Sequence, residues 1–262
     1  MQFHFQFQET PYRADLSRAV DLSLSIGPNG DNPNAFGIAP AQFEPIRVGS
    51  FVGRVSEGGS ANCEILTLCA HGNGTHTECV GHVLKQRYTL PEALDSSFFL
   101  VQVLSVQLTQ GKEGRSYLDA PELQGRLQPA QALCLRSLPN SESKRSAVWS
   151  GQEPPFIGVD AMRLIAHQGY TQLLTDFPSV DPEEDAGALA AHRIWWNVPS
   201  REQTLAEPEG AWLKQVRWKA CITELIYVPE TVTDGLYLLQ IQAPNLCSDA
   251  VPSKPLLHPL LP

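Results

Sequence analysis

Residues 156–175, Phe-Ile-Gly-Val-Asp-Ala-Met-Arg-Leu-Ile-Ala-His-Gln-Gly-Tyr-Thr-Gln-Leu-Leu-Thr, read as strand, helix and strand. Residues 156–159 are a short apolar strand. Asp160 can cap a helix over 161–168, and Gly169 suits its C-terminal exit. Residues 170–175 are then a second strand. Links this short predict a parallel pair joined by a right-handed crossover, and hence an α/β fold.

Upstream of this unit the chain is β-rich. Strand-like runs fall at 20–26, 46–55, 63–69, 98–108 and 132–136. The alternating Phe residues of 1–7 suggest an edge ribbon. Residues 27–34 form a turn-rich loop, and the polar segment 138–155 is expected to be a mobile surface loop. A length of 262 residues is compatible with one domain over 1–262, with its core about 18–256.

Composition excludes several functions. A net charge of −9, from 28 acidic against 19 basic residues, comes with no basic cluster, which argues against a nucleic-acid partner. No apolar run reaches transmembrane length. The N-terminus lacks the basic start and apolar run of a signal peptide, so the expected location is cytoplasmic. The six cysteines have no C-x-x-C spacing and read as free thiols. No phosphate loop, dinucleotide turn or Gly-x-Ser-x-Gly elbow is present.

The chemistry concentrates in residues 71–82, His-Gly-Asn-Gly-Thr-His-Thr-Glu-Cys-Val-Gly-His. Imidazole and carboxylate are common ligands of divalent metals and also move protons near neutral pH. On an extended strand His76, Glu78, Val80 and His82 share a face. His71, five residues before His76, points the other way unless a bulge around Gly72-Asn73-Gly74 brings it round. Cys79 faces away from the ligands. As residues alone, the run is either a metal or acid–base site or a set of hydrogen-bonded structural histidines.

A second group follows the βαβ unit. Asp181, Pro182 and Glu184 suit a helix start, as cap, proline at the first position and acid at the third. The helix carries Ala188, Leu189, His192, Trp195 and Trp196 on one stripe. His192 is either a buried, hydrogen-bonded histidine or part of an aromatic pocket. Glu224 is a lone carboxylate in an apolar run and needs a partner if buried.

Together these motifs resemble the cyclase family of metal-dependent hydrolases, which includes bacterial kynurenine formamidases and isatin hydrolases. That family carries His-x-Gly-Thr-His-x-Asp-x-Pro-x-His. Here Gly74-Thr75-His76, Glu78 and His82 fall in place, while His71 stands one residue too far upstream, Glu78 replaces Asp and Val80 replaces Pro. The family's Asp-x-x-Ser-x-Asp segment, its helix-borne His and its later Glu correspond to Asp176, Ser179 and Asp181, His192, and Glu224. Residues 249–254 resemble its closing loop.

The resemblance implies a swivelling β/β/α-type domain with a mixed sheet, commonly a homo-oligomer (dimer or tetramer). It implies one or two zinc or manganese ions. His71, His76 and Glu78 would hold the first. His192 and Glu224 would complete a second site, with Glu78 bridging. Glu78 and His82 would be the catalytic pair, with His82 as proton carrier. Trp195 and Trp196 would bind an aromatic or planar substrate. The implied reaction is hydrolysis of an amide or formamide C–N bond, the alternatives being a metal-dependent lyase or cyclase and a non-catalytic binder of small ligands.

Overall fold

The computed structural model describes residues 1–28, 32–111, 114–207 and 210–262. The expected loop at 27–34 therefore lies partly outside the described residues. Among the described residues, eleven strands form one mixed sheet. From one edge the order is Gln2–Phe7, Thr10–Asp15, Lys254–Leu261, Gly235–Gln242, Phe98–Gln107, Ala132–Leu138, Gln172–Thr175, Cys221–Glu224, His76–Cys79 and Ala250–Pro252. Val20–Asp21 adds to Lys254–Leu261.

The middle of this sheet is a parallel block from Phe98–Gln107 to Cys221–Glu224. Its strands are apolar on both faces, as a sheet covered on both sides requires. Leu100, Leu104, Leu133, Leu135 and Leu173 face one buried cluster; Val101, Val103, Ala132, Cys134 and Leu174 face the other. The helix Val159–His167 covers the first face with Ala161, Met162 and Ile165.

The βαβ unit of the second half is present, but its first strand differs from the expected one. Gln172–Thr175 pairs in parallel with Ala132–Leu138. Phe156–Ile157 joins a separate three-stranded sheet beside Ser116–Leu118. Two residues are too few to span the buried sheet, and the seven-residue run at 132–138 takes that role. The helix begins after Gly158 rather than Asp160.

Two other local expectations change. Residues 46–55 are a tight pair, Arg47–Val48 and Phe51–Val52, rather than one strand. The segment 138–155 is anchored rather than free. Lys144 Nζ reaches the buried Asp176 Oδ2 at 2.8 Å, and Asn34 pairs with Ala147 and Trp149 through its backbone.

Antiparallel strands extend the parallel block at the end that matters for chemistry. His76–Cys79 pairs with Cys221–Glu224 so that His76 lies opposite Glu224. Ala250–Pro252 pairs on its other side, with Ala250 opposite Glu78. Residues from both ends of the chain therefore meet where the parallel strands terminate, the usual place for a site in an α/β sheet.

Candidate metal centre

His76 and Glu78 alternate on a fully buried strand and point to one side, as strand parity demands. His82 reaches the same side by another route. The strand stops at Cys79, and the short 3-10 helix Val80–Val83 sends Val80 into the core and returns His82 to the site. Gly81 permits this turn, because a Cβ there would lie 1.9 Å from the backbone oxygen of Tyr88. His71 is brought in by the helical turn Ala70–Asn73, not by a bulge. Gly72 packs so closely in that turn that a Cβ would lie 2.9 Å from Ala35 O. Cys79 faces the opposite cluster, where burial pushes its thiol up to about 12.

The six expected ligand and catalytic positions converge. His192 Nε2 lies 2.9 Å from Glu78 Oε1, and His71 Nδ1 lies 3.1 Å from Glu78 Oε2. His76 Nε2 is 3.4 Å from Glu224 Oε2, and His82 Nδ1 is 4.0 Å from Glu78 Oε2. Among the described residues, His76 Nε2, His192 Nε2 and both Glu78 oxygens are buried without a hydrogen bond. Leaving such groups unpaired is costly. Their convergence at ligand-like separations, without hydrogen-bond geometry, is the arrangement expected of donors around a common ion. The triad His71, His76 and Glu78 and the triad Glu78, His82 and His192 each bring their donor atoms within 4.8 Å of one another. The residues present thus fit a divalent metal with nitrogen and oxygen ligands.

The outer groups hold the rings in place. His76 Nδ1 donates to Gly74 O at 3.0 Å, and His192 Nδ1 donates to Asp181 Oδ2 at 2.7 Å. Each bond leaves Nε2 free to face the centre, the usual arrangement behind a metal-binding histidine. Asp181 also accepts from the backbone of Ala191 and His192, so it caps the helix Ala190–Trp196 across the loop rather than from the adjacent position. Glu224 Oε1 accepts from Val180 N at 2.8 Å. Asp181→Ala is expected to weaken metal binding about 10- to 100-fold, the usual loss for such a partner, as read by chelator competition.

The charges balance locally. Burial opposes ionisation of Glu78, but His82, His192 and His71 outweigh it and hold the carboxyl well below its ordinary value. Burial likewise opposes the His192 cation, and Glu78 and Asp181 overcome it and raise that imidazole. Burial opposes the His71 cation too, but the neighbouring Asp249 and Glu78 carboxylates outweigh it and push that imidazole up to about 10. A bound cation would replace these protons, since a ligating imidazole is neutral.

Two expectations fail and one residue was missed. Trp195 and Trp196 are fully buried in the core and do not line the cavity. Trp196 Nε1 donates to Ala220 O at 2.8 Å, and the Arg217 guanidinium covers Trp195 at 4.3 Å. The stripe read as a pocket wall is the helix's core face. The cavity beside the histidines, of about 390 Å³, is lined instead by Phe36, Ile38 and Leu189 with Glu183 and Asp185. Asp249 is the missed residue. Its Oδ2 lies 3.1 Å from His71 Nε2 and 3.3 Å from His82 Nδ1. No spacing in the sequence links it to a motif 167 residues earlier. Only the pairing of its strand does so.

A buried His and Glu cluster at the end of a parallel block in a mixed sheet defines a metalloenzyme-like α/β protein. The chain belongs to the Cyclase family, whose model matches residues 15–182. His192, Glu224 and Asp249 lie beyond that span. No curated protein matches the sequence. Solved structures share its fold. A predicted metal-dependent hydrolase from Bacillus stearothermophilus is 14% identical over 92% of this chain and 98% of its own, with a TM-score of 0.60. Isatin hydrolase A from Ralstonia solanacearum is 12% identical over 94% and 92%, with a TM-score of 0.62. An isatin hydrolase bound to the product analogue thioisatinate is 14% identical over 94% and 92%, with a TM-score of 0.59.

Proposed function

We propose that this protein is a metal-dependent hydrolase that cleaves an amide-type C–N bond in a small aromatic or cyclic substrate. The observation that carries this reading is the set of buried, unbonded donor atoms on His76, Glu78 and His192. His71, His76 and Glu78 would hold one ion; His192 and Glu224 would hold a second, with Glu78 shared. The donor set suits zinc or manganese. When bound, a divalent ion supplies Lewis acidity, polarising the scissile carbonyl and making water acidic near neutral pH.

The chain's own residues supply the rest. Phe36, Ile38 and Leu189 give the cavity an apolar wall suited to a planar ring, and the cavity falls in the size range of small-molecule sites. His82 Nδ1 faces Asp249 Oδ2, which leaves Nε2 to exchange a proton. His82 would take a proton from the attacking water and return it to the leaving nitrogen. The cyclic-amide reading is supported by the isatin hydrolase neighbours, and an N-formyl aromatic amine is the open-chain counterpart. Free thiols at all six cysteines suit a reducing compartment, which supports a cytoplasmic location. Among the described residues no helix is long and apolar enough to cross a membrane. A homo-oligomer remains part of the proposal, with size-exclusion chromatography as its check.

Metal analysis of protein purified without chelator, followed by turnover of a cyclic aryl amide and an N-formyl aromatic amine, tests the reading. Metal-free protein that also stays inactive after loading would sink it. His82→Ala is expected to keep its metal and lose about 100-fold in turnover, the low end of acid–base contributions. Unchanged turnover would remove His82 from the mechanism.

A further inference from the structure

We propose that Asp249 is a positioning residue for the metal site, fixing the displaced His71 in the tautomer and orientation that turn its Nδ1 toward Glu78. The inference rests on the metal-site reading above. His71 is the one ligand candidate carried by a helical turn instead of a strand or a longer helix. It is also partly exposed, at 23%, whereas His76 and His192 are buried.

A neutral imidazole has one N–H and one lone pair. For Nδ1 to face the centre as a donor, Nε2 must carry the proton and find an acceptor. Asp249 Oδ2 stands 3.1 Å from that nitrogen. The same logic holds at the other two rings, where Gly74 O fixes His76 and Asp181 fixes His192. Three histidines thus have three acceptors behind them, and Asp249 serves the one whose backbone position is least constrained.

The main chain brings Asp249 here independently of its side chain. Cys79 N donates to Asp249 O at 2.9 Å, and Ala250–Pro252 continues the pairing beside His76–Cys79. Removing the carboxylate therefore leaves the strand pairing intact. One rival is that Asp249 is itself a ligand, since His71, His82 and Asp249 also place donor atoms within 4.8 Å of one another.

Zinc dissociation constants, measured by chelator competition on the full chain, separate these cases. Asp249→Ala is expected to weaken zinc about 10- to 100-fold. Asp249→Asn, which keeps an acceptor oxygen, should recover most of that loss. In a His71→Ala background, adding Asp249→Ala should cost less than about 2-fold, because a residue that acts through His71 has nothing left to position. Unchanged zinc affinity in Asp249→Ala would overturn the inference. So would a loss that persists undiminished in the His71→Ala background, which would make Asp249 a ligand in its own right. Failure of the unmodified protein to bind zinc or manganese is a different result; it would overturn the metal-site reading and this inference with it.

Discussion

Glu78→Gln is expected to leave the purified protein without stoichiometric metal and with less than about 1% of its turnover. The substitution nearly preserves volume, removes the negative charge and replaces one acceptor oxygen by an NH2 donor. That carboxylate is fully buried and lies between His71 and His192, at 3.1 and 2.9 Å. Loss of an outer partner of a ligand typically costs about 10- to 100-fold, and loss of a shared ligand exceeds that. Elemental analysis beside a hydrolysis assay checks both halves. Full metal occupancy in the variant would remove Glu78 from the ligand set.

Lys144→Met is expected to give the largest loss of stability. Lys144 Nζ contacts Asp176 Oδ2 at 2.8 Å, Ser137 O at 2.7 Å and Ser137 Oγ at 2.8 Å. Asp176 is buried, and removing one partner of a buried pair typically costs about 3–5 kcal/mol. Burial already raises the Asp176 carboxyl despite the lysine beside it. A carboxyl raised in the fold favours the folded state most when protonated. That contribution is complete below the unfolded value, about 3.9, and is lost as pH rises through the folded value. The variant's deficit should therefore be largest near neutral pH and shrink toward pH 4. Urea denaturation at several pH values measures it. A deficit under about 1 kcal/mol, or one that does not vary with pH, would contradict this account.

The fold and much of the site were legible in short-range patterns. The β-rich first half, the βαβ unit and the shared face of His76 and Glu78 all follow from periodicities of two and of 3.6 residues, which backbone geometry imposes locally. The errors share a cause. Phe156–Ile157 looked like a core strand, yet whether an apolar pair joins the main sheet depends on which partner strand lies beside it. Trp195 and Trp196 sit on an apolar stripe, and such a stripe does not say whether it faces a core or a cavity.

By itself the sequence determined which residues could be ligands, that His76 and Glu78 share a strand face, and to which family they point. Those are properties of residue type and of neighbours a few positions apart. The tertiary structure alone decided that a helical turn carries His71 to Glu78, that Asp181 and Asp249 stand behind two of the imidazoles, and that Phe36 rather than a tryptophan walls the cavity. These contacts join residues far apart in the chain. Sheet order and register set them, and no local pattern encodes which distant strand arrives alongside.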